Sequence, residues 1–224
     1  MSNGVGRGVL VVDDHDLVGR ALVSALEERG VCAHRCSGTA PADILTTAAE
    51  HPAGLVLLDL DLGRDAAGRP VDGRDVIGAL TAEGWSVLVV TGSTDPQRVA
   101  AAIATGAIGE VAKSEPFDTM MSRILDAVAG RPVMSRDDHH RWLALHRAAQ
   151  ERQQRADELL GRLTGQERKV LDRMAEGHRA AAIAEEFVVS LTTVRSQIRA
   201  ILAKLEVGSQ LAAVALVHDR HPPE

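Results

Sequence analysis

Apolar residues along this chain follow two rhythms. From residue 8 to about 130, short apolar runs alternate with stretches of three-four spacing. The runs are Val9-Leu10-Val11-Val12, Leu55-Val56-Leu57-Leu58, Val87-Leu88-Val89-Val90 and Ile108 to Ala112. Four or five apolar residues between turn signals predict strands buried on both faces, as in a parallel sheet. The strands are placed at 8–13, 31–35, 54–59, 86–91 and 108–112. Between them, spacings such as Leu17, Ala21, Leu22, Ala25 and Leu26, closed by Gly30, predict amphipathic helices. The others fall at 41–50, about 73–83, 96–105 and 117–130, with a long polar loop at 60–72. Five such alternations imply a parallel sheet covered by helices on both faces, with right-handed crossovers.

Gly130-Arg131-Pro132 closes this pattern. From 137 to 160 one polar, Gly-free helix carries Trp142, Leu145, Ala149, Ala156, Leu159 and Leu163, interrupted by Arg152. A rigid spacer, a dimerising coiled coil and a helix packed on either neighbour all fit so narrow a stripe. From Leu163 on, only helical spacing remains. Thr164 with Glu167 three residues later reads as a capping box before Val170, Leu171 and Met174. Ser190 is a good N-cap for a helix over 191–205, whose apolar face is Ile198, Ile201, Leu202 and Leu205. A short helix, a turn at Val188–Ser190 and a second helix with basic residues describe a helix-turn-helix. The expected whole is an α/β domain at 8–130, a helical linker at 131–162 and a small all-α domain at 163–219.

Charge sharpens this division. Residues 1–130 hold 10 basic against 18 acidic residues, and residues 163–224 hold 8 against 8. An acidic whole argues against indiscriminate nucleic-acid binding, but 191–205 carries Arg195, Arg199 and Lys204 with no acid. Two cysteines are too few for a disulfide framework, no stretch is long and apolar enough to span a bilayer, and the first residues lack a signal peptide's apolar core. A reducing, cytoplasmic setting is expected.

The chemistry lies at the strand ends. Asp13-Asp14, Asp59, Thr91 and Lys113 each follow an apolar run, and in open α/β sheets sites form outside the carboxyl ends of the strands. Of 25 basic residues only three are lysine, and Lys113 is one of them. A compact ammonium suits a tight anion site. Adjacent carboxylates repel unless a cation sits between them, and hard oxygens with an incomplete shell suit Mg²⁺. Such a set can bind a phosphoryl group, with Asp59 as nucleophile.

At these residues the chain resembles a response-regulator receiver domain over about 8–130, which implies a flavodoxin-like doubly wound sheet. The resemblance implies that Asp59 accepts a phosphoryl group from a sensor histidine kinase. Asp13, Asp14 and Asp59, with the backbone carbonyl of Asp61, would hold Mg²⁺, and Thr91 and Lys113 would contact the phosphoryl oxygens. Three departures stand out. The loop between Asp59 and Asp72-Gly73 is longer than usual, the family's common proline after the acceptor is absent, and Glu110 occupies the position of the aromatic switch residue. The stretch from Leu163 through Ala175-Glu176-Gly177, Ile183-Ala184, Val189-Ser190, Thr193-Val194-Arg195 and Ile201 to Leu205 is similar to the LuxR-type helix-turn-helix. Together the two resemble a NarL/FixJ-type response regulator. By this resemblance Arg195, Ser196 and Arg199 read base edges, Thr193, Gln197 and Lys204 hold phosphates, and the active form is a homodimer on promoter DNA, away from any membrane. Arg179-Ala180-Ala181-Ala182 departs from the usual polar residues, which implies weaker or more salt-sensitive DNA binding.

Two other readings follow from the same residues. A phosphorylation-independent DNA-binding regulator is suggested by Glu110 and the long loop. Asp59-Leu60-Asp61 also resembles the Asp-x-Asp signature of phosphohydrolases, although that signature normally ends a first strand and here Leu62 follows. Cys32, His34 and Cys36 would share a strand face and are expected to be small buried thiols rather than a metal site. His15 is expected to begin the first loop, and His139, His140 and His146 to be solvated.

Overall fold

A computed structural model describes residues 8–65, 67–93 and 95–220, the last three without their side chains. It divides into two compact units between His146 and Arg147.

In the first unit, β1 (Val9–Val12), β2 (Ala33–Arg35), β3 (Leu55–Leu58), β6 (Ser86–Thr91) and β7 (Gly109–Ala112) form one parallel sheet in the order β2-β1-β3-β6-β7. The continuous apolar runs become central strands because both their faces are covered. Val9, Val11, Leu55, Leu57, Leu88, Val90 and Val111 pack on one side with α1 (Asp16–Glu27) and α5 (Phe117–Val128). Leu10, Val12, Val56, Leu58, Val87 and Val89 pack on the other with α2 (Pro41–Ala49), α3 (Arg74–Ala82) and α4 (Pro96–Thr105). The two sets alternate along each strand, as the pleat requires. The order reverses between β1 and β3, so the crevice for a ligand opens at their carboxyl ends.

Two details differ from the sequence reading. Leu17 and Ala21 of α1 face solvent, leaving Leu22, Ala25 and Leu26 as the buried stripe. The supposed polar loop is an ordered antiparallel ribbon, β4 (Asp61–Arg64) with β5 (Pro70–Asp72). Leu60 and Leu62 are fully buried in the second core while Asp61 and Gly63 face out. That two-residue alternation stitches the ribbon to the domain. At its tip Asp65 accepts hydrogen bonds from the amides of Ala67 and Arg69. Its base cannot widen at Gly73, where any Cβ would lie 2.1 Å from the Asp59 carbonyl oxygen.

Residues 136–161 form one continuous helix, α6 (Arg136–Gly161), bracketed by the cores it touches. Trp142 and Leu143 pack on the first unit's core. Ala156, Leu159 and Leu160 are buried in the second unit.

The second unit adds α7 (Gly165–Ala175), α8 (Ala180–Glu186), α9 (Leu191–Lys204) and α10 (Gln210–Arg220). Both arms of the Thr164–Glu167 capping box are formed. Ser190 caps α9 through the amide of Thr193 at 3.0 Å. Val194, Ile198, Ile201 and Leu205 bury against Val170, Leu171 and Ile183, with Leu202 partly buried. The three-four spacing places these apolar residues on one face and leaves Arg195, Ser196 and Arg199 exposed on the other.

Candidate functional site

The parallel register fixes the neighbourhood of the strand-end residues. Val12 pairs with Leu58, Leu58 with Val89, and Thr91 with Ala112, so Asp13, Asp59, Thr91 and Lys113 end adjacent strands in one row. Asp13, Asp59 and Thr91 are buried. Lys113 reaches across the β6 end, and its Nζ lies 2.6 Å from Asp13 Oδ2 and 2.6 Å from Asp59 Oδ2. A buried carboxylate pair is tolerable only with such a counter-charge, because each ion loses its hydration.

The electrostatics follow from that burial. Desolvation lifts the Asp59 carboxyl above its ordinary pKa, and the nearby Asp13 adds to the lift. The hydrogen bond from Lys113 and the Asp61 amide at 3.2 Å pull it back only in part. Burial also works against the Lys113 ammonium, but its bonds to Asp13 and Asp59 outweigh that and raise its pKa. The acid and base of this row hold each other in place.

Asp13, Asp14, His15 and Asp59 each bring a ligand atom to one spot, all within 4.8 Å of one another. Asp14 is more open than Asp13, and His15, the N-cap residue of α1, places Nδ1 2.7 Å from Asp14 Oδ1. Three hard carboxylates and an incomplete shell fit a small divalent cation better than a soft one. Asp61 offers its amide to Asp59, and its carboxylate turns away to Arg98 at 2.7 Å. Thr91 Oγ1 accepts from the Ser93 amide at 3.0 Å, which fixes the hydroxyl at the rim.

Glu110 is half-buried on β7. Burial raises its pKa, and the charge of Arg123 offsets part of the shift. Arg123 itself donates to the Glu110 carbonyl at 2.7 Å and to Glu115 at 2.7 Å. Arg123 thus ties the β7 backbone at Glu110 to Glu115.

On α9, Thr193, Arg195, Ser196 and Arg199 are exposed, and among the described residues no ion pair holds either arginine. Thr193 Oγ1 lies 2.8 Å from Ser190 Oγ, so its hydroxyl belongs to the cap as well. Gln197 is half-buried with its Oε1 unpartnered. Lys204 turns inward, 2.6 Å from Glu167 Oε2, and joins the capping box instead of standing free for a phosphate. This is a departure from the sequence expectation, because a lysine at a helix end finds the nearest carboxylate.

The thiols also correct the sequence reading. Cys32 is exposed on the face of His34, just before the strand, while Cys36, just after its end at Arg35, is buried. Cys32 Sγ sits 3.4 Å from His34 Nε2, and His34 stacks on His51. His140 is exposed, while His139 and His146 are half-buried on α6. Sequence reasoning missed Arg98, Arg123 and the Glu167–Lys204 pair. Arg98 and Lys204 meet carboxylates 37 residues away and Arg123 meets partners 8 and 13 residues away, spacings that no helical or strand period signals.

Comparison with known proteins agrees with this geometry. Residues 9–125 match the family described as response regulator receiver domain, and residues 162–217 match bacterial regulatory proteins of the luxR family. The chain is 29% identical over 218 residues to a nitrate/nitrite response regulator protein homolog of Haemophilus influenzae, covering 95% of this chain and 97% of that one. It is 30% identical over 215 residues to a glycerol metabolism activator of Pseudomonas putida, covering 94% and 95%. In fold it is similar to RcsB from Salmonella enterica serovar Typhimurium, solved bound to a promoter with a phosphomimetic (TM-score 0.50, 21% identity, 96% of this chain and 98% of that one). No described helix is long and apolar enough to cross a membrane.

Proposed function

We infer the function of this chain from the family to which it belongs, the response regulators that join a receiver domain to a luxR-type DNA-binding domain and act as transcription regulators. In our reading the receiver spans 8–130, the linker 131–162 and the DNA-binding domain 163–219, in a cytoplasmic protein. Asp59 accepts a phosphoryl group from a sensor histidine kinase. One Asp59 carboxylate oxygen bonds to phosphorus as the phosphorus–nitrogen bond to the donor histidine breaks, and the bonding pair leaves on the imidazole nitrogen. Lys113 holds Asp59 and is placed to keep a charge contact with the new phosphoryl oxygens. Thr91 supplies a hydroxyl at the rim. Asp13, Asp14 and Asp59 are the residues that would hold Mg²⁺, with Asp61 lending its carbonyl, and the ion supplies charge neutralisation for the transferring group.

Downstream, Arg195, Ser196 and Arg199 read base edges, while Thr193 and Gln197 contact the backbone and Lys204 does so after leaving Glu167. A homodimer with two-fold symmetry reads half-sites about 34–36 Å apart. The carrying observation is the single row in which Lys113 bridges Asp13 and Asp59.

Glu110 favours a second reading, in which DNA binding does not depend on phosphorylation. The two separate on one experiment, DNA affinity and dimerisation of wild type, Asp59→Asn and Asp59→Glu with and without a small phosphodonor. The first reading expects a phosphodonor response only in wild type. Equal DNA affinity for all three, unmoved by the donor, establishes the second.

A further inference from the structure

The long insertion after the acceptor is tied to α4 by one residue. Arg98 donates through one terminal nitrogen to Asp61 Oδ1 at 2.7 Å and through the other to the Leu60 carbonyl at 2.9 Å. The second nitrogen also lies 3.6 Å from Asp72 Oδ2. One guanidinium therefore touches the first and second residues after Asp59 and the last residue of the ribbon. Asp72 is already satisfied by Arg74, in contacts of 2.9 and 2.6 Å. The direct business of Arg98 is the turn at Leu60–Asp61.

That turn has little freedom. The Leu60 carbonyl also accepts from the Gly73 amide at 3.0 Å, so both its lone pairs are used. The Asp61 amide points at Asp59 Oδ1. A planar fork fixes both distance and angle, as a lysine cannot. At its other end Arg98 stands on a firm helix. Pro96 starts α4, Asp95 caps it through the Gln97 amide at 2.8 Å, and Val99, Ala102 and Ile103 are buried in the core. A short path of hydrogen bonds thus runs from Asp59 through Asp61 and Arg98 into α4. Glu110, the position where the aromatic switch is missing, has no part in this path.

We propose that Arg98 is a positioning residue for the acceptor turn, and that it links occupancy of the Asp59 pocket to α4. This rests on the reading of Asp59 as phosphoacceptor and assigns it a route of response through the inserted ribbon. A phosphoryl group on Asp59 displaces the Asp61 amide from Oδ1 or re-aims it. The Leu60–Asp61 unit moves with the amide, and the guanidinium carries the movement to α4. Because coupling is reciprocal, a loosened Arg98 also weakens ligand binding at the pocket.

The test uses the full chain with Mg²⁺ and beryllofluoride as the phosphoryl mimic. It reads apparent affinity together with amide hydrogen exchange of 61–72 and 96–105. Wild type should bind the mimic and change exchange in 96–105. Arg98→Ala should lose about five- to tenfold in apparent affinity, or lose the exchange response at 96–105. Arg98→Lys should fall between them. Should Arg98→Ala fail to fold, Arg98→Lys with Asp61→Asn carries the same reading. A variant that binds as wild type and shows the wild-type response at 96–105 overturns the proposal, even if exchange in 61–72 rises, because Arg98 is then only a staple of the ribbon. Wild type that binds no mimic removes the phosphoacceptor reading itself, and this inference with it.

Discussion

The strand-end row of the first unit and the exposed face of α9 solve opposite problems with the same kinds of charge. In the row, Asp13 and Asp59 are 4% and 3% exposed and share one ammonium at 2.6 Å. On α9, Arg195 and Arg199 stand in solvent with no ion pair among the described residues. A covalent acceptor must be shielded and its charges pre-arranged, since reorganisation at the moment of transfer is costly. A groove reader must keep its fork free, because its partners arrive with the DNA. Lys204 shows the contrast within one helix, since Glu167 already holds it at 2.6 Å.

The comparison breaks most readily at Lys113. Lys113→Met leaves two buried carboxylates facing each other and should cost roughly 3–5 kcal/mol in chemical denaturation of the first unit. Asp59→Asn, which removes one of the like charges, should cost far less. Equal losses in the two variants would show that the row is not an electrostatic unit.

Next in size is the opposite region. Arg195→Ala or Arg199→Ala should weaken specific DNA binding by about 1–3 kcal/mol each and leave the unfolding midpoint unchanged. A variant that lowers stability and spares DNA affinity would return that arginine to a structural role.

The smallest effects are responses to pH, and they carry opposite signs in the two units. Burial raises the Glu110 pKa in the fold, so its contribution to stability is present below the unfolded value and is lost as pH rises through the folded one. Glu110→Gln should therefore gain on wild type as pH rises through and above the ordinary carboxylate range. The hydrogen bond from Lys204, with those of Thr164, lowers the Glu167 pKa. Its contribution is present above the unfolded value and is lost as pH falls through the folded one. Glu167→Gln should lose stability at neutral pH and converge on wild type in acid. Denaturation midpoints of both variants across that range check the signs, and gaps that do not change with pH would contradict them.

Much of this was legible in the chain because burial on both faces writes itself as unbroken apolar runs. The four runs ending at Asp13, Asp59, Thr91 and Lys113 marked central strands and the row of polar residues at their ends; the strand order came only with the fold. The capping box at Thr164 and the register from Leu163 to Leu205 gave the second unit. The ribbon at 61–72 escaped notice because its only pattern is Leu60-x-Leu62, too short to set against Gly63, Gly68 and the charges around it. Arg98 and Lys204 escaped because each meets a partner 37 residues away. Only the tertiary fold brings such charges together, and no period encodes them. Cys36 turned inward alone because the strand beneath it is three residues long, shorter than the alternation assumed.

The most direct test is phosphoryl uptake from a small phosphodonor, followed by intact mass on wild type and Asp59→Asn, with Mg²⁺ and with a chelator. Wild type should gain one phosphoryl group only with the cation, and Asp59→Asn should gain none. Uptake that persists in the chelator, or appears equally in Asp59→Asn, would contradict the reading of Asp13, Asp14, Asp59 and Lys113 as one cation-dependent acceptor.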